Sequence, residues 1–187
     1  MNYLSLDQTL KSSIGYPVGE ERTVRLKNGS TVLIRPARAS DVAGVQDIFY
    51  HLSQEDIYTR FFRGMRSLST SDAQRLCNVN YDTEVAFLAV AGTRENEKIV
   101  GSSCYFTNLT TNMAEAAFMI TPEWQSLGVG KALQQRMIEY AKARGLRGFT
   151  AVVLSDNLGM INLAKRACNN VSFKREGITY EVTMLFD

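Results

Sequence analysis

The fold of this chain is decided by residues 113–133, which read MAEAAFMITPEWQSLGVGKAL. Residues 115–120 are a mostly apolar run bounded by polar and turn residues, and such a run predicts a buried β-strand. Pro122 ends the strand because proline has no N–H to donate to a neighbouring strand. From Lys131 onward, apolar residues recur at helical spacing. The stretch therefore predicts a strand, a glycine-containing turn and a helix.

The turn between this strand and this helix has the features of an anion-binding loop. Backbone N–H groups at such a turn, together with the positive end of the helix, attract phosphates. A Walker loop requires Gly-Lys-Ser/Thr, but Gly130 and Lys131 are followed by Ala132. A dinucleotide fingerprint requires a further glycine three residues after the second, where this chain has Leu133. What remains is Gln-x-x-Gly-x-Gly, starting at Gln125, a pattern that an ordinary strand-to-helix turn also shows.

Composition bounds the class of protein. The chain has 187 residues, 45% hydrophobic and 21% charged, which is typical of one globular domain with a full core. The net charge of +2 is too small to favour a nucleic acid or an anionic membrane as partner. No apolar run approaches a membrane span, and the N-terminus lacks a signal-peptide pattern. Three scattered cysteines and one histidine favour reduced thiols and a cytoplasmic location, and they predict no metal site.

Before the deciding stretch, the sequence predicts a hairpin, three helices and two strands. Residues 23–26 and 31–34 are β-rich runs around Asn28-Gly29, which is a typical hairpin turn. Ser40-Asp41 predicts the start of a helix with an apolar face over residues 42–49. Further helices are predicted for residues 54–62 and for residues 71–78, the latter starting at Ser71-Asp72. Residues 85–91 and 99–105 predict antiparallel strands.

After the deciding stretch, the sequence predicts a strand, a helix and two closing strands. Gly145 and Gly148 are predicted to end the long helix, and residues 150–154 form a β-branched strand. Asp156-Asn157 predicts the start of the last helix, and residues 171–173 and 180–186 complete the sheet. The inward face of that last helix is predicted to hold Met160, Leu163, Ala164 and Ala167.

This order of elements predicts an α/β fold in which a mixed, mostly antiparallel central sheet carries helices on both faces. Residues 1–22 are expected to form an N-terminal extension, because the first twenty carry no strong pattern. Residues 23–187 are expected to form a single domain.

Several motifs resemble the GNAT superfamily of N-acetyltransferases, and within it the acetyltransferase domain of bacterial protein-lysine acetyltransferases. The Gln-x-x-Gly-x-Gly turn resembles the acetyl-CoA pyrophosphate loop of the superfamily. The bacterial branch typically shows Ile-Arg-Pro, Leu-Ser, a tyrosine and Arg-Phe-Phe. The matching residues here are Ile34-Arg35-Pro36, Leu52-Ser53, Tyr58 and Arg60-Phe61-Phe62, with further agreement at Ala114-Glu115 and at Leu154, Asn157 and Met160.

The resemblance covers about residues 23–173. It departs from the family after the last helix, where Leu-Gly-Phe is replaced by Ala-Cys-Asn-Asn-Val-Ser-Phe at residues 167–173. The resemblance implies the GNAT acyl-CoA N-acyltransferase fold, with acetyl-CoA as co-substrate and an amine as acceptor.

Glu115 is the residue for which the resemblance implies a catalytic role. Acetyl transfer requires a neutral amine, whereas a lysine side chain has a pKa of about 10.4 in water. A carboxylate beside the acceptor can take that proton directly or through a water. Glu115 is the only acidic residue in the predicted central strand, and the family places its base there. The alternative is a solvated side chain at the edge of the strand.

The resemblance also implies which residues bind acetyl-CoA. The backbone of residues 118–120 would pair with the extended pantetheine like an added strand, and one of its N–H groups would stabilise the oxyanion. Asn157 would hold the cofactor arm, cap the last helix, or do both, and Lys131 would meet a phosphate or lie on the helix surface. The expected contacts are Phe118, Met119, Ile120, Gln125, Ser126, Leu127, Gly128, Val129, Gly130, Lys131, Ala132, Asn157 and Met160.

No residue stands out as a general acid for the leaving thiolate. Lys165, Cys168 and Asn169 occupy the region where many acetyltransferases carry a tyrosine. A thiol with a pKa of about 8.5 leaves without much help. Cys168 as a covalent nucleophile is the alternative, although no histidine near it in the sequence would orient it.

Three functions fit these observations. The protein acetylates a protein lysine, such as one in an acyl-CoA synthetase; it acetylates a small-molecule amine; or it is a non-catalytic acyl-CoA sensor. A sensor would keep Gln125, Gly128 and Gly130 without needing Glu115, so the intact loop and the intact acid argue against it. The sequence does not separate the first two functions, because acceptor pockets are built from loops, and it leaves the oligomeric state open.

Overall fold

The computed structural model describes residues 16–93 and 95–187. Its strands are β1 (Arg22–Arg25), β2 (Thr31–Pro36), β3 (Glu84–Ala91), β4 (Lys98–Asn108), β5 (Met113–Ile120), β6 (Gly148–Leu154), β7 (Asn170–Glu176) and β8 (Thr179–Leu185). Its helices are α1 (Val42–His51), α2 (Gln54–Phe61), α3 (Thr70–Cys77), α4 (Val129–Ala143) and α5 (Leu158–Lys165). Short 3₁₀ turns cover Val18–Glu20, Ala39–Asp41 and Pro122–Trp124.

The eight strands of the described residues form one sheet in the order β1-β2-β3-β4-β5-β6-β8-β7. Every neighbouring pair is antiparallel except β5 and β6, which are parallel and connected through α4. The mixed, mostly antiparallel sheet expected from the sequence is confirmed. The expected hairpin is also confirmed, with β1 and β2 paired around Asn28-Gly29.

Helices cover both faces of the sheet, as the sequence predicts. One face packs against α4 and α5, in a core that includes Phe87, Leu133, Met137 and Phe149. The other face packs against α1, α2 and α3. The apolar face predicted for α1 is confirmed, because Val45, Ile48 and Phe49 are buried.

The parallel strands β5 and β6 separate after a short pairing. Only Met113, Ala114 and Glu115 of β5 are in register with β6, where they face Gly148, Phe149 and Thr150. Beyond Glu115, β5 continues to Ile120, and in the part of the chain that the structure describes only β4 pairs with it there. The centre of the sheet therefore contains a gap that begins at Glu115.

The start of α4 and the place of Gly148 both differ from the sequence prediction. α4 begins at Val129, two residues before Lys131, because Gly128 adopts a left-handed conformation (φ 109°) and precedes the first turn. Gly148 does not end α4 but is the first residue of β6. A Cβ at that position would overlap the carbonyl oxygen of Met184 on β8, so the glycine allows close strand packing.

Three helix details also differ from the sequence expectation. The side chain that caps α3 belongs to Ser69, whose Oγ accepts the N–H of Asp72 at 3.1 Å, and not to Ser71. Asp41 precedes α1 without capping it, since its carboxylate pairs with the buried Arg35 guanidinium at 2.8 Å. On α5, Ile161 and Ala164 are the buried residues. The other predicted inward residues, Met160, Leu163 and Ala167, are only half-buried.

Part of the expected N-terminal extension, residues 1–15, lies outside the described residues. Its later part contacts the sheet and α4, because the carbonyl oxygen of Glu20 accepts a hydrogen bond from Arg136 Nε at 3.1 Å. Within the described ranges, no helix is long and apolar enough to cross a membrane.

Candidate active site

The open edge of β5 presents backbone groups to the gap in the sheet. Thr121 N–H donates to the Val100 carbonyl at 3.1 Å, and alternate residues of an antiparallel strand bond to the same neighbour. Met119 therefore directs its backbone groups to β4, whereas Phe118 and Ile120 direct theirs to the gap. Of the three residues expected to pair with pantetheine, only Phe118 and Ile120 offer backbone groups to a ligand.

The turn after β5 ends at an unsatisfied helix N-terminus. The first three N–H groups of α4, on Val129, Gly130 and Lys131, have no carbonyl partner one turn earlier. The N–H groups of Leu127 and Gly128 also have no acceptor among the described residues. Five consecutive N–H groups and the positive end of the helix dipole therefore lie together, and this arrangement suits a phosphate.

The β1–β2 hairpin holds this turn in place. Lys27 donates its backbone N–H to the Leu127 carbonyl at 3.1 Å and its Nζ to the Ser126 carbonyl at 3.0 Å. In a trans peptide the carbonyl and the following N–H point in opposite directions. Because both carbonyls point to the hairpin, the N–H groups of Leu127 and Gly128 point away from it.

The side chain of Gln125 is engaged within the protein. Its Nε2 donates to Asp56 Oδ1 of α2 and to the Ile120 carbonyl, both at 3.1 Å. Gln125 was expected among the cofactor contacts, but its amide N–H groups link the turn to α2 and to β5. Sequence reasoning missed both Asp56 and Lys27, since each is distant in the chain from the turn it holds and neither lies in a local motif.

The start of α4, the end of β5 and α5 converge at Gly130. A Cβ at Gly130 would lie 3.1 Å from Ile120 Cδ1 and 3.5 Å from Leu163 Cδ2, so little room is left for a side chain. Asn157 caps α5, because its Oδ1 accepts the N–H of Met160 at 3.0 Å. The Nδ2 of Asn157 has no partner in the described residues, so the expected second role toward a cofactor remains a prediction.

The remaining expected cofactor contacts differ in exposure. Lys131 and Ser126 are exposed, Ala132 and Met160 are half-buried, and Val129 is fully buried. The side chain of Val129 therefore cannot contact a ligand at the surface.

Glu115 stands at the point where the gap begins. It is in register with Phe106 of β4 and with Thr150 of β6, on the sheet face that carries α1, α2 and α3. Its side chain is exposed, and its carboxylate has no hydrogen bond or ion pair among the described residues. It faces an open cavity of about 440 Å³, which is lined by Phe106, Thr107, Asn108, Thr111, Met113, Glu115 and Thr150.

Neither a covalent nucleophile nor a metal centre is apparent in this region. Burial raises the pKa of the Cys168 thiol, which keeps it in the less reactive neutral form. Its Sγ donates weakly to the Asn170 carbonyl at 3.5 Å. Among the described residues, no group of His, Cys, Asp or Glu side chains could hold a metal ion.

Three features now lie together: the open edge of β5 inside the sheet, the turn suited to a phosphate at the start of α4, and the Glu115 carboxylate where the gap begins. This combination is that of an acyl-CoA-dependent acyltransferase. The family model of the acetyltransferase (GNAT) family matches residues 51–169. The chain belongs to this family and is an N-acetyltransferase, so the resemblance inferred from the sequence is confirmed. Acetyl-CoA is the co-substrate of the family.

Relatives of known sequence and structure agree with this assignment. An acetyltransferase of Pseudomonas aeruginosa is 27% identical over 145 residues, which cover 78% of each chain. The acetyltransferase Pat of Mycolicibacterium smegmatis is 26% identical over 76% of this chain, but the match covers only 42% of Pat. The GNAT domain of S. lividans PAT superimposes with a TM-score of 0.83 at 26% identity, covering 92% of this chain and all (100%) of that domain.

One solved structure with this fold contains the co-substrate. It is yncA, a putative acetyltransferase of Salmonella typhimurium, with acetyl-CoA bound. Its TM-score is 0.62 at 17% identity, covering 82% of this chain and 91% of that one. At this identity the match shows the fold alone.

Proposed function

We propose that this protein transfers an acetyl group from acetyl-CoA to a lysine side chain of another protein, with Glu115 as the general base. The observation that carries the proposal is the position of Glu115. It is the last β5 residue in register with β6, and its carboxylate, which has no partner among the described residues, faces an open cavity between the β4–β5 hairpin and Thr150.

The turn and the open strand edge fit acetyl-CoA. The N–H groups of Leu127, Gly128 and the first turn of α4 would bind the pyrophosphate. The backbone groups of Phe118 and Ile120 would pair with the amides of the pantetheine arm, and Asn157 Nδ2 would donate to that arm from the other side of the gap. Acetyl-CoA supplies the acetyl group as a thioester, which is the bond that the amine attacks.

Glu115 and Phe118 would have separate roles in acetyl transfer, proton removal and stabilisation of the oxyanion. Glu115 would take the proton of the ammonium group, directly or through a water, and so supply the neutral amine. Phe118 lies three residues further along β5, about 10 Å at the rise of an extended strand. Its N–H faces the gap and would stabilise the oxyanion of the tetrahedral intermediate. The leaving thiolate needs no general acid, since a free thiol has a pKa of about 8.5.

A protein lysine is favoured as the acceptor by two observations. The motifs at residues 34–36, 52–53, 58 and 60–62 match the branch of the family that acetylates protein lysines. The cavity at Glu115 is open to solvent, so a lysine on a large partner has access to it. A panel of acyl-CoA synthetases and free amines, assayed with acetyl-CoA, separates this acceptor from a small-molecule amine.

The base is tested with Glu115→Gln, which keeps the size of the side chain but cannot accept the proton. We expect a loss of about 10²- to 10⁴-fold in turnover near pH 7, with acetyl-CoA binding unchanged. Raising the pH should partly rescue the variant, because the amine then loses its proton without help. The measurement is a pH series of kcat/KM for both proteins with the same acceptor.

Glu95→Gln is the matched control, because Glu95 is exposed in the β3–β4 turn, at the opposite end of β4 from the residue that pairs with Glu115. It should retain wild-type turnover. A Glu115→Gln variant within about threefold of wild type near pH 7 would show that Glu115 is not the base, since a positioned base contributes far more. A wild-type protein that binds acetyl-CoA but acetylates no amine would instead support a sensor.

A further inference from the structure

The hydrogen bond between Gln125 and Asp56 connects two parts of the candidate active site. Gln125 lies in the turn proposed to bind the pyrophosphate, and Asp56 lies in the first turn of α2. Asp56 uses its two oxygens differently. Oδ2 accepts from the Ser53 backbone N–H at 3.3 Å and closes the capping box of α2, while Oδ1 accepts from Gln125. The same carboxylate therefore holds the start of α2 and the cofactor turn.

The far end of α2 lies on the acceptor face of the sheet. Arg60 Nη2 is 3.9 Å from Cys104 Sγ of β4. Cys104 is in register with Ala117 of β5, two residues from the Phe106–Glu115 pair. From Asp56 to Arg60 the helix rises only about 6 Å. A single turn of α2, from Asp56 to Arg60, therefore connects the loop that contains Gln125 to the face of the sheet that carries Glu115.

α2 is an element whose order depends on its contacts. It has eight residues, shorter than the roughly 12 to 15 at which isolated helices become stable, and Ile57 is its only buried residue. It ends at Phe61, and the next residue, Phe62, is a non-glycine residue in the left-handed conformation (φ 53°). Such a helix opens at low free energy, so a contact at either end shifts its population of ordered states.

We infer that Gln125 and Asp56 are positioning residues that make the order of α2 depend on occupancy of the cofactor turn. Coenzyme A bound at the turn fixes the backbone of Gln125, and Gln125 then holds Asp56 and the first turn of α2. The helix in turn holds Arg60 against the face on which the acceptor lysine reaches Glu115. This inference rests on the proposed binding of the cofactor at residues 127–131.

Amide hydrogen exchange with and without saturating coenzyme A tests the inference. In the wild-type protein, coenzyme A should protect the turn at residues 125–132 and should also slow exchange in α2 by about fivefold or more, the lower end of ordinary coupling between sites. In Gln125→Met, which keeps the length of the side chain but has no amide donor, the turn should still be protected. Protection of α2 should fall below about twofold, which is less than the roughly fivefold lower end of ordinary coupling between sites.

Two control variants separate the link from general loss of structure. Gln135→Met removes another exposed glutamine-to-carboxylate hydrogen bond of 3.1 Å, to Glu139 on α4, and should respond to coenzyme A like the wild type. Ser53→Ala removes the cap of α2 but leaves Asp56 able to accept from Gln125, so α2 should exchange faster yet still respond. Asp56→Ala breaks the link from the other side and also opens the capping box of α2. Its α2 should therefore exchange faster than in the wild type and, as in Gln125→Met, should not respond to coenzyme A.

The possible results have distinct meanings. If coenzyme A protects the wild-type turn but leaves exchange in α2 unchanged, the inference is wrong and the proposed function stands. If Gln125→Met and Asp56→Ala keep the full response of α2, the link is only structural and the inference is again wrong. If the wild-type turn itself gains no protection, the proposed cofactor site is wrong and the inference fails with it.

Discussion

Gly128→Glu is the change that most directly tests the cofactor turn. A ligand at about 100 times its dissociation constant stabilises a protein by roughly 2.7 kcal/mol. For a chain of this length each kcal/mol raises Tm by about 2–4 °C, so acetyl-CoA should raise the wild-type Tm by roughly 5–11 °C. The variant places a carboxylate at the N-cap of α4, where the pyrophosphate is proposed to bind.

The repulsion exceeds the roughly 2.7 kcal/mol by which the ligand stabilises the wild-type fold. Two unit charges about 4 Å apart interact by roughly 4 kcal/mol at the effective dielectric near a protein surface. This weakens acetyl-CoA binding by about 10³-fold. The ligand concentration that saturates the wild type would then be about a tenth of the dissociation constant of the variant, and the thermal shift should fall below about 1 °C.

The substitution also has a cost without ligand, which Gly145→Glu controls. Gly128 (φ 109°) and Gly145 (φ 73°) both have positive φ, and neither would place a Cβ within 4 Å of another atom. A side chain at either position is strained by about 1–3 kcal/mol. The new carboxylate gains about 0.3–1 kcal/mol near the N-terminus of α4 and loses a similar amount near its C-terminus.

Gly145→Glu should therefore be the less stable variant without ligand, yet it should keep the full acetyl-CoA shift. The assay is a thermal-shift titration of the three proteins with acetyl-CoA. A Gly128→Glu protein that retains the wild-type shift would refute phosphate binding at this turn.

Two further predictions concern the cysteines. Cys168→Ala should keep turnover within about twofold of wild type, since the raised pKa and half-buried position of Cys168 do not suit a nucleophile; loss of all measurable steady-state activity would restore Cys168 as a candidate covalent nucleophile. Burial raises the pKa of Cys77 from its usual 9.0 to about 12, so the folded state favours the neutral thiol. The contribution of this thiol to the free energy of unfolding is fully present below pH 9. It is lost between pH 9 and about 12, as Cys77 ionises in the unfolded state. Urea denaturation between pH 8 and pH 10 should show a smaller decline for Cys77→Ala than for wild type, and equal declines would contradict this linkage.

Local patterns predicted most of the elements because each depends on neighbours within a few residues. Asn28-Gly29 predicted the hairpin, and the spacing of Val45, Ile48 and Phe49 predicted the buried face of α1. The error at Gly148 arose because glycine is used both to end helices and to allow close packing of strands. Gly148 looks like a helix terminator, but it is required because β8 packs against its backbone, and only the folded chain shows that contact.

The contacts that shape the candidate site were beyond local reasoning. Lys27 reaches the carbonyl of Ser126, and Gln125 reaches Asp56, across 99 and 69 positions of sequence. Neither pair has a pattern of its own, since an exposed lysine and an exposed aspartate usually lie in solvent. The role proposed for Glu115 came from the resemblance, and the structure adds its place at the last β5–β6 pair.

The separation of β5 from β6 gives the sheet an unpaired edge in its interior. Unpaired strands usually lie at the margin of a sheet, where they are open to other chains and promote aggregation. Here the exposed backbone of Phe118 and Ile120 lies between two strands of the same molecule, joined below by three residue pairs. A strand of a folded partner would have to enter between two strands of one sheet, whereas a single flexible chain with amide groups needs only the backbone edge of β5. The backbone groups of β5 thus stay free to form hydrogen bonds with a bound ligand, but they are not open to pairing with a strand of another protein.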